Sequence, residues 1–228
     1  APKGRLILPQ VQVLREVLDA GAMALTVKES EVADMLRGLA AKPALVITDS
    51  QAVREVAAAV PEDIRLTTFS TLFARYKGDF AAQLAGAAAI DTLKDGDRVL
   101  IAEGCSHHVT CDDIGRVKIP NWMKKYTGRE LKFEWTQGAD FPDNLEDYAL
   151  VVHCGGCMLN RAEVRRRINE CARQGVKVTN YGIVISKMQG VLERVVKGIA
   201  DAGATGSVSA TGSISDTGSI SDTGEEGD

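Results

Sequence analysis

Two short stretches hold the residues best equipped for chemistry. The first runs Glu103, Gly104, Cys105, Ser106, His107, His108, and the second His153, Cys154, Gly155, Gly156, Cys157. Together they contain all three histidines and three of the five cysteines. Thiolates and imidazoles are metal ligands, and three kinds of site would use them. An iron–sulfur cluster needs cysteine thiolates, usually four, although a histidine or an exchangeable ligand can take one corner. Zinc accepts the same residues, normally as a closed tetrahedral set. A dithiol redox site would employ Cys154 and Cys157 alone. That last reading is weakened by proline placement: thioredoxin-like sites set a cis-proline against the motif from a later strand, and no proline follows Cys157.

The elements around the two stretches must bring them together. An apolar run at 98–102 predicts a strand ending at Cys105, and 149–152 predicts another running into His153 and Cys154. In a parallel sheet both carboxyl ends lie on one edge, where open α/β sheets place their ligand sites. Gly155 and Gly156 can take positive φ, which would turn the amides of the Cys-x-x-Cys turn toward bound sulfurs. A helix starting near Asn160 would add partial positive charge beside the thiolates.

The remaining chain predicts a regular alternation of strands with helices of about ten residues, the mark of βαβ units and a parallel sheet. An extended piece at 6–8 and a helix at 11–18 come first. Strands follow at 24–27, 44–48 and 64–69. Between and after them lie helices at 31–40, capped by Ser30, at 51–59, capped by Asp49 or Ser50, and from Ser70 onward. The Ala-rich stretch 80–93 reads as a helix leading out of this first unit, and Asp95-Gly96-Asp97 marks a boundary. A second set adds one helix within 112–128, a strand at 131–135, a helix at 160–173 closed by Gly175, a strand at 176–180 and a helix at 183–199. The expected fold is α/β: two consecutive parallel-sheet α/β domains with helices packed on the sheets, at 1–94 and 95–202. Residues 203–228 read as a disordered low-complexity tail, because the hexads from Thr205 carry too few apolar side chains to close a β-helix core.

Composition narrows the classes. Five cysteines, an odd number, in a chain without a signal-peptide core argue against a disulfide framework and for a cytoplasmic location. No apolar run suggests a membrane span. The net charge of −4 arises in the tail: its five acids (Asp216, Asp222, Glu225, Glu226, Asp228) removed, 26 acids face 27 bases. Nothing in that balance calls for nucleic acid.

The motifs also carry a resemblance. Cys105-x-His107, a spacer of 45 residues and His153-Cys154-x-x-Cys157 resemble the HydF family, the scaffold proteins of FeFe-hydrogenase maturation. Residues 1–10, 111–120, 153–161 and 179–183 are similar to that family as well, so the resemblance covers about residues 1–200. It implies a dimerisation domain followed by a metallocluster domain. The family's GTPase domain is not matched, because no Gly-x-x-x-x-Gly-Lys-Ser/Thr loop is present, so this chain is expected neither to bind nor to hydrolyse GTP. With no initiating Met it reads as an excised or truncated product.

By the resemblance Cys105, Cys154 and Cys157 are ligands of a 4Fe-4S cluster whose fourth site is exchangeable. His107 and His153 are either the labile fourth ligand or donors to the sulfurs and the bound precursor. An open corner suits a carrier that accepts a diiron precursor from radical-SAM maturases and releases it to apo FeFe-hydrogenase. A homodimer through the first domain is implied too. Outside the motif, His108 reads as a loop residue, Cys111 as a free thiol and Cys171 as structural. Arg161, Arg165, Arg166 and Arg167 read as a solvated helix face, or else as a basic patch for an anionic precursor. Trp122 and Trp135 read as core or as cover for the site.

Overall fold

The computed structural model describes residues 6–104 and 113–200. In chain order its elements are α1 (Leu8–Asp19), α2 (Val32–Gly38), β1 (Val46–Thr48), α3 (Val53–Ala59), β2 (Leu66–Thr68), α4 (Phe69–Lys77), α5 (Phe80–Ala88), β3 (Arg98–Ala102), α6 (Ile119–Thr127), β4 (Lys132–Thr136), β5 (Leu150–His153), α7 (Arg161–Arg173), β6 (Lys177–Asn180), α8 (Tyr181–Met188) and α9 (Leu192–Ala200). All strand pairings are parallel, in one two-stranded sheet (β1–β2) and one four-stranded sheet of order β4–β3–β5–β6. The fold class is therefore α/β with two parallel sheets. Among the described residues no helix is long and apolar enough to cross a membrane.

The larger sheet is buried on both faces. Val99, Ile101, Leu150 and Val152 point to a core closed by Ile119 and Met123 of α6 and by Val184 and Ile185 of α8. Leu100, Ala102, Val151 and Val178 point the other way, onto Val164, Ile168 and Cys171 of α7. Period-two alternation in strands that are apolar throughout explains this double cover. Each Val, Leu, Ile or Met among them contributes about 1.5–3 kcal/mol when fully buried.

The two sheets share helices. Helix α5, capped by Asp79 at the Ala82 amide, lies against β6 at Gly86. A Cβ on Gly86 would stand 1.9 Å from the Val178 carbonyl oxygen, so only glycine permits this approach. Helix α9 returns from the far end of the chain to β2, where Arg65 and Arg75 donate to the carbonyls of Gly198 and Ile199 at 2.9 and 2.8 Å. The smaller sheet has its own core of Val32, Val56, Val60, Ile64 and Leu66.

Local differences from the sequence reading have identifiable causes. Residues 24–27, expected as a strand, run without a ladder partner among the described residues, and Met23 and Leu25 are exposed. Leu8 opens α1 rather than ending an extended piece, with Pro9 in the first turn, where its missing N–H costs nothing. Ser30 lies inside a 3-10 turn (Glu29–Glu31) and does not cap. Asp49 precedes a second 3-10 turn, and its carboxylate takes the Gln10 amide at 2.6 Å. The helix expected over 80–93 tightens into a 3-10 turn at Ala89–Thr92. The one expected over 183–199 is two helices, because the amides of Gly190 and Val191 fold back onto the carbonyls of Lys187 and Ser186 and close α8.

Candidate metal centre

Strand order locates the site. From β3 the chain steps outward to β4, then crosses back to β5 and continues to β6. The carboxyl ends of β3 and β5 therefore flank the switch point, the crevice in which open parallel sheets bind ligands. The last rung of the sheet is Thr136, Ala102, His153 and Asn180. One residue further, the Cys154 amide still donates to the Ala102 carbonyl at 2.9 Å, which fixes the start of the Cys-x-x-Cys turn.

The Cys154 sulfur is where the two loops meet. Gly104, at the mouth of β3, donates its amide to Cys154 Sγ at 3.0 Å, and Gly156 donates at 3.4 Å from within the turn. Gly156 has φ +64, whereas Gly155 does not need a positive φ. Burial pushes the Cys154 and Cys157 thiols above their ordinary pKa. A bound metal would supply the positive charge that holds such thiolates deprotonated. Half-buried cysteine sulfurs, one of them met by two backbone N–H groups, are donor chemistry that fits an iron–sulfur cluster.

His153 ends β5 on the face opposite Cys154, because strand side chains alternate. It is fully buried, and a ring nitrogen, Nδ1, lies 2.8 Å from the Cys154 carbonyl oxygen. A carbonyl only accepts, so Nδ1 carries the proton and Nε2 keeps its lone pair. Nε2 is buried with no hydrogen-bond partner among the described residues. Burial lowers the pKa of this histidine to about 4, so the ring is neutral at pH 7.

A polar floor lies beneath the turn. The buried Glu103 carboxylate takes the Tyr181 hydroxyl at 3.3 Å and the Gln137 amide at 3.4 Å, with Arg116 Nε 3.6 Å away. Trp135 Nε1 donates to the Gly115 carbonyl at 3.1 Å, and Arg116 lies over its ring. Trp135 thus covers this edge, whereas Trp122 packs on the core.

The expected ligands Cys105 and His107, together with His108 and Cys111, lie outside the described residues. Among the described residues no three His, Cys, Asp or Glu side chains gather as a metal shell, and of the expected cysteine ligands only Cys154 and Cys157 lie among them. Cys171 is buried in α7 with its thiol raised to about 12 by burial. The arginines of α7 divide. Arg167 is buried and bonded to Glu163 and the Gly138 carbonyl, whereas Arg166 pairs with Glu163 at the surface. They form neither a uniform patch nor a wholly solvated face.

Two contributors went unseen in the sequence. Lys77, at the end of α4, donates to the carbonyls of Gly156, Cys157 and Leu159. Ser70, at its start, accepts the Asn180 side-chain amide and borders Gly155. Neither is near the motif in sequence, and no local pattern marks them.

Fold and site together define a doubly wound α/β unit with paired thiols at its switch point, joined to a smaller α/β unit through shared helices. A family model described as the hydrogen maturase F dimerization domain matches residues 1–78, and one described as its tetramerization domain matches residues 81–198. The chain belongs to the hydrogen maturase F (HydF) family. Both matched stretches are self-association domains, and the family places the chain in hydrogenase maturation as a scaffold protein. A comparison with curated proteins returned no match.

Proposed function

We propose that this chain is a self-associating cluster carrier in FeFe-hydrogenase maturation. Cys105, Cys154 and Cys157 would hold a 4Fe-4S cluster, whose bound form supplies an iron with an exchangeable coordination position. A diiron precursor, received from the radical-SAM maturases, would be the cargo passed on to apo-hydrogenase, in the cytoplasm. The single observation that carries this reading is the double amide donation to Cys154 Sγ at the switch point, from the loop that leads to Cys105 and from the turn that leads to Cys157. The chain's own residues then have separate tasks. Gly104 and Gly156 neutralise thiolate charge with N–H groups, and His153 braces the turn through the Cys154 carbonyl. His107 remains a candidate for the open corner. The work assigned to residues 6–200 is binding and hand-over, with no nucleotide chemistry.

Anaerobic reconstitution followed by iron and sulfide analysis and electron paramagnetic resonance tests the reading. Wild-type chain is expected to show a reduced-cluster signal that Cys154→Ser and Cys157→Ser lose. Full signal in either variant, or stoichiometric zinc without sulfide, overturns it.

A further inference from the structure

Helix α4 belongs by sequence to the match with the dimerization domain, and by position it walls the Cys-x-x-Cys turn. A Cβ built on Gly155 would touch Ser70 Oγ at 3.4 Å, and Asn180, at the end of β6, donates to the Ser70 carbonyl at 2.9 Å. At the other end of the helix Lys77 is 8% exposed, and its ammonium lies 4.9 Å above the Phe73 ring. It donates to the carbonyls of Leu159 at 2.8 Å, Gly156 at 2.9 Å and Cys157 at 3.3 Å. An ammonium has three N–H groups, and three carbonyls receive them.

We propose that Lys77 is a positioning residue for the metal centre, through which the self-association domain sets the geometry and charge of the cysteine turn. The mechanism follows from the planar trans peptide, in which the C=O of one residue and the N–H of the next point in opposite directions. Holding the carbonyls of Gly156 and Cys157 on the ammonium aims the amides of Cys157 and Met158 the other way. Those two amides belong to Cys157 itself and to the residue that follows it. Lys77 thus orients donors it does not touch, and it leaves one buried positive charge beside the thiols. The charge effect rests on the cluster-carrier reading; the clamp does not.

The test uses the full chain with Lys77→Met, which keeps the stem over Phe73 and removes the charge, and Lys77→Arg, which restores charge and donors. Amide hydrogen exchange of residues 155–159 is measured on metal-free protein, and the reduction potential and g-values on reconstituted protein. Lys77→Met is expected to speed exchange roughly tenfold, local opening being the least protected kind, and to move the potential to more negative values. Lys77→Arg is expected to recover part of both. Unchanged exchange in Lys77→Met overturns the proposal whatever the potential does, and faster exchange with an unmoved potential removes the charge effect and keeps the clamp. A wild-type chain that takes no cluster while Lys77→Met still loosens the turn sinks the carrier reading alone. Should Lys77→Met not fold, Lys77→Gln is decided by the same two readouts.

Discussion

Cys154 and Cys171 are packed against the two faces of one sheet, and burial raises the pKa of both thiols. The backbone around each sulfur separates them. Cys154 follows a strand end, in a turn whose glycine at 156 adopts a left-handed conformation, so free amides reach its sulfur. Cys171 sits inside α7, where the amides are occupied by the helix itself and the neighbours are Val164, Ile168 and Val176. A thiol becomes a candidate ligand where the chain leaves regular structure, and it stays a small hydrophobe where helix encloses it.

The strongest attack on that contrast exchanges the roles of the two sulfurs. Cys154→Ser is expected to lower bound iron by roughly tenfold or more, the scale on which even outer-shell changes act, while Cys171→Ser keeps full stoichiometry; iron analysis after anaerobic reconstitution measures both. Cys171→Ser is expected instead to lose about 1–3 kcal/mol of stability, because a buried hydroxyl replaces an apolar contact, read from the denaturant midpoint. Equal iron loss in the two variants would erase the distinction.

Gly156→Ala sharpens the role of the turn. It puts a side chain at φ +64 with its Cβ 3.1 Å from Val164 Cγ2, at an expected cost of about 1–2 kcal/mol, and calorimetry of the metal-free protein measures it. The smallest effect is electrostatic and belongs to α7. The guanidinium groups of Arg166 and Arg167 hold the Glu163 carboxyl at about 2, against an ordinary 4.5. The unfolded chain takes up this proton first as pH falls, so the stabilisation is complete above pH 4.5 and lost as pH drops through 2. Glu163→Gln is expected to cost about 1 kcal/mol at pH 7 and progressively less as pH falls through 2, which urea titrations across that range would show.

Much of the fold was legible because apolar runs ending at turn residues define strands locally. The runs at 98–102, 149–152 and 176–180 became β3, β5 and β6 within a residue or two. The stretch at 24–27 misled for the complementary reason: extended propensity is local, but a ladder needs a neighbouring edge. The break at 189–191 was missed because the apolar period continues from α8 into α9, and only backbone turning shows the joint. His153 read as a labile ligand or a donor by adjacency to Cys154, and only the structure shows its Nδ1 on the Cys154 carbonyl.

The sequence by itself determined the chemistry: which thiols and imidazoles are present, their spacing, and the parallel α/β frame that delivers two of the loops to one edge. Family membership was legible there as well, in the spacing of Cys105, His107, His153, Cys154 and Cys157. Only the tertiary structure decided the strand order that puts the switch point between β3 and β5, the amides that meet Cys154, and the reach of Lys77 across 79 positions to the Gly156 carbonyl. The reason is physical. Residue type and period act over a few positions, whereas a buried ammonium finds its three carbonyls only after separate helices and strands have packed.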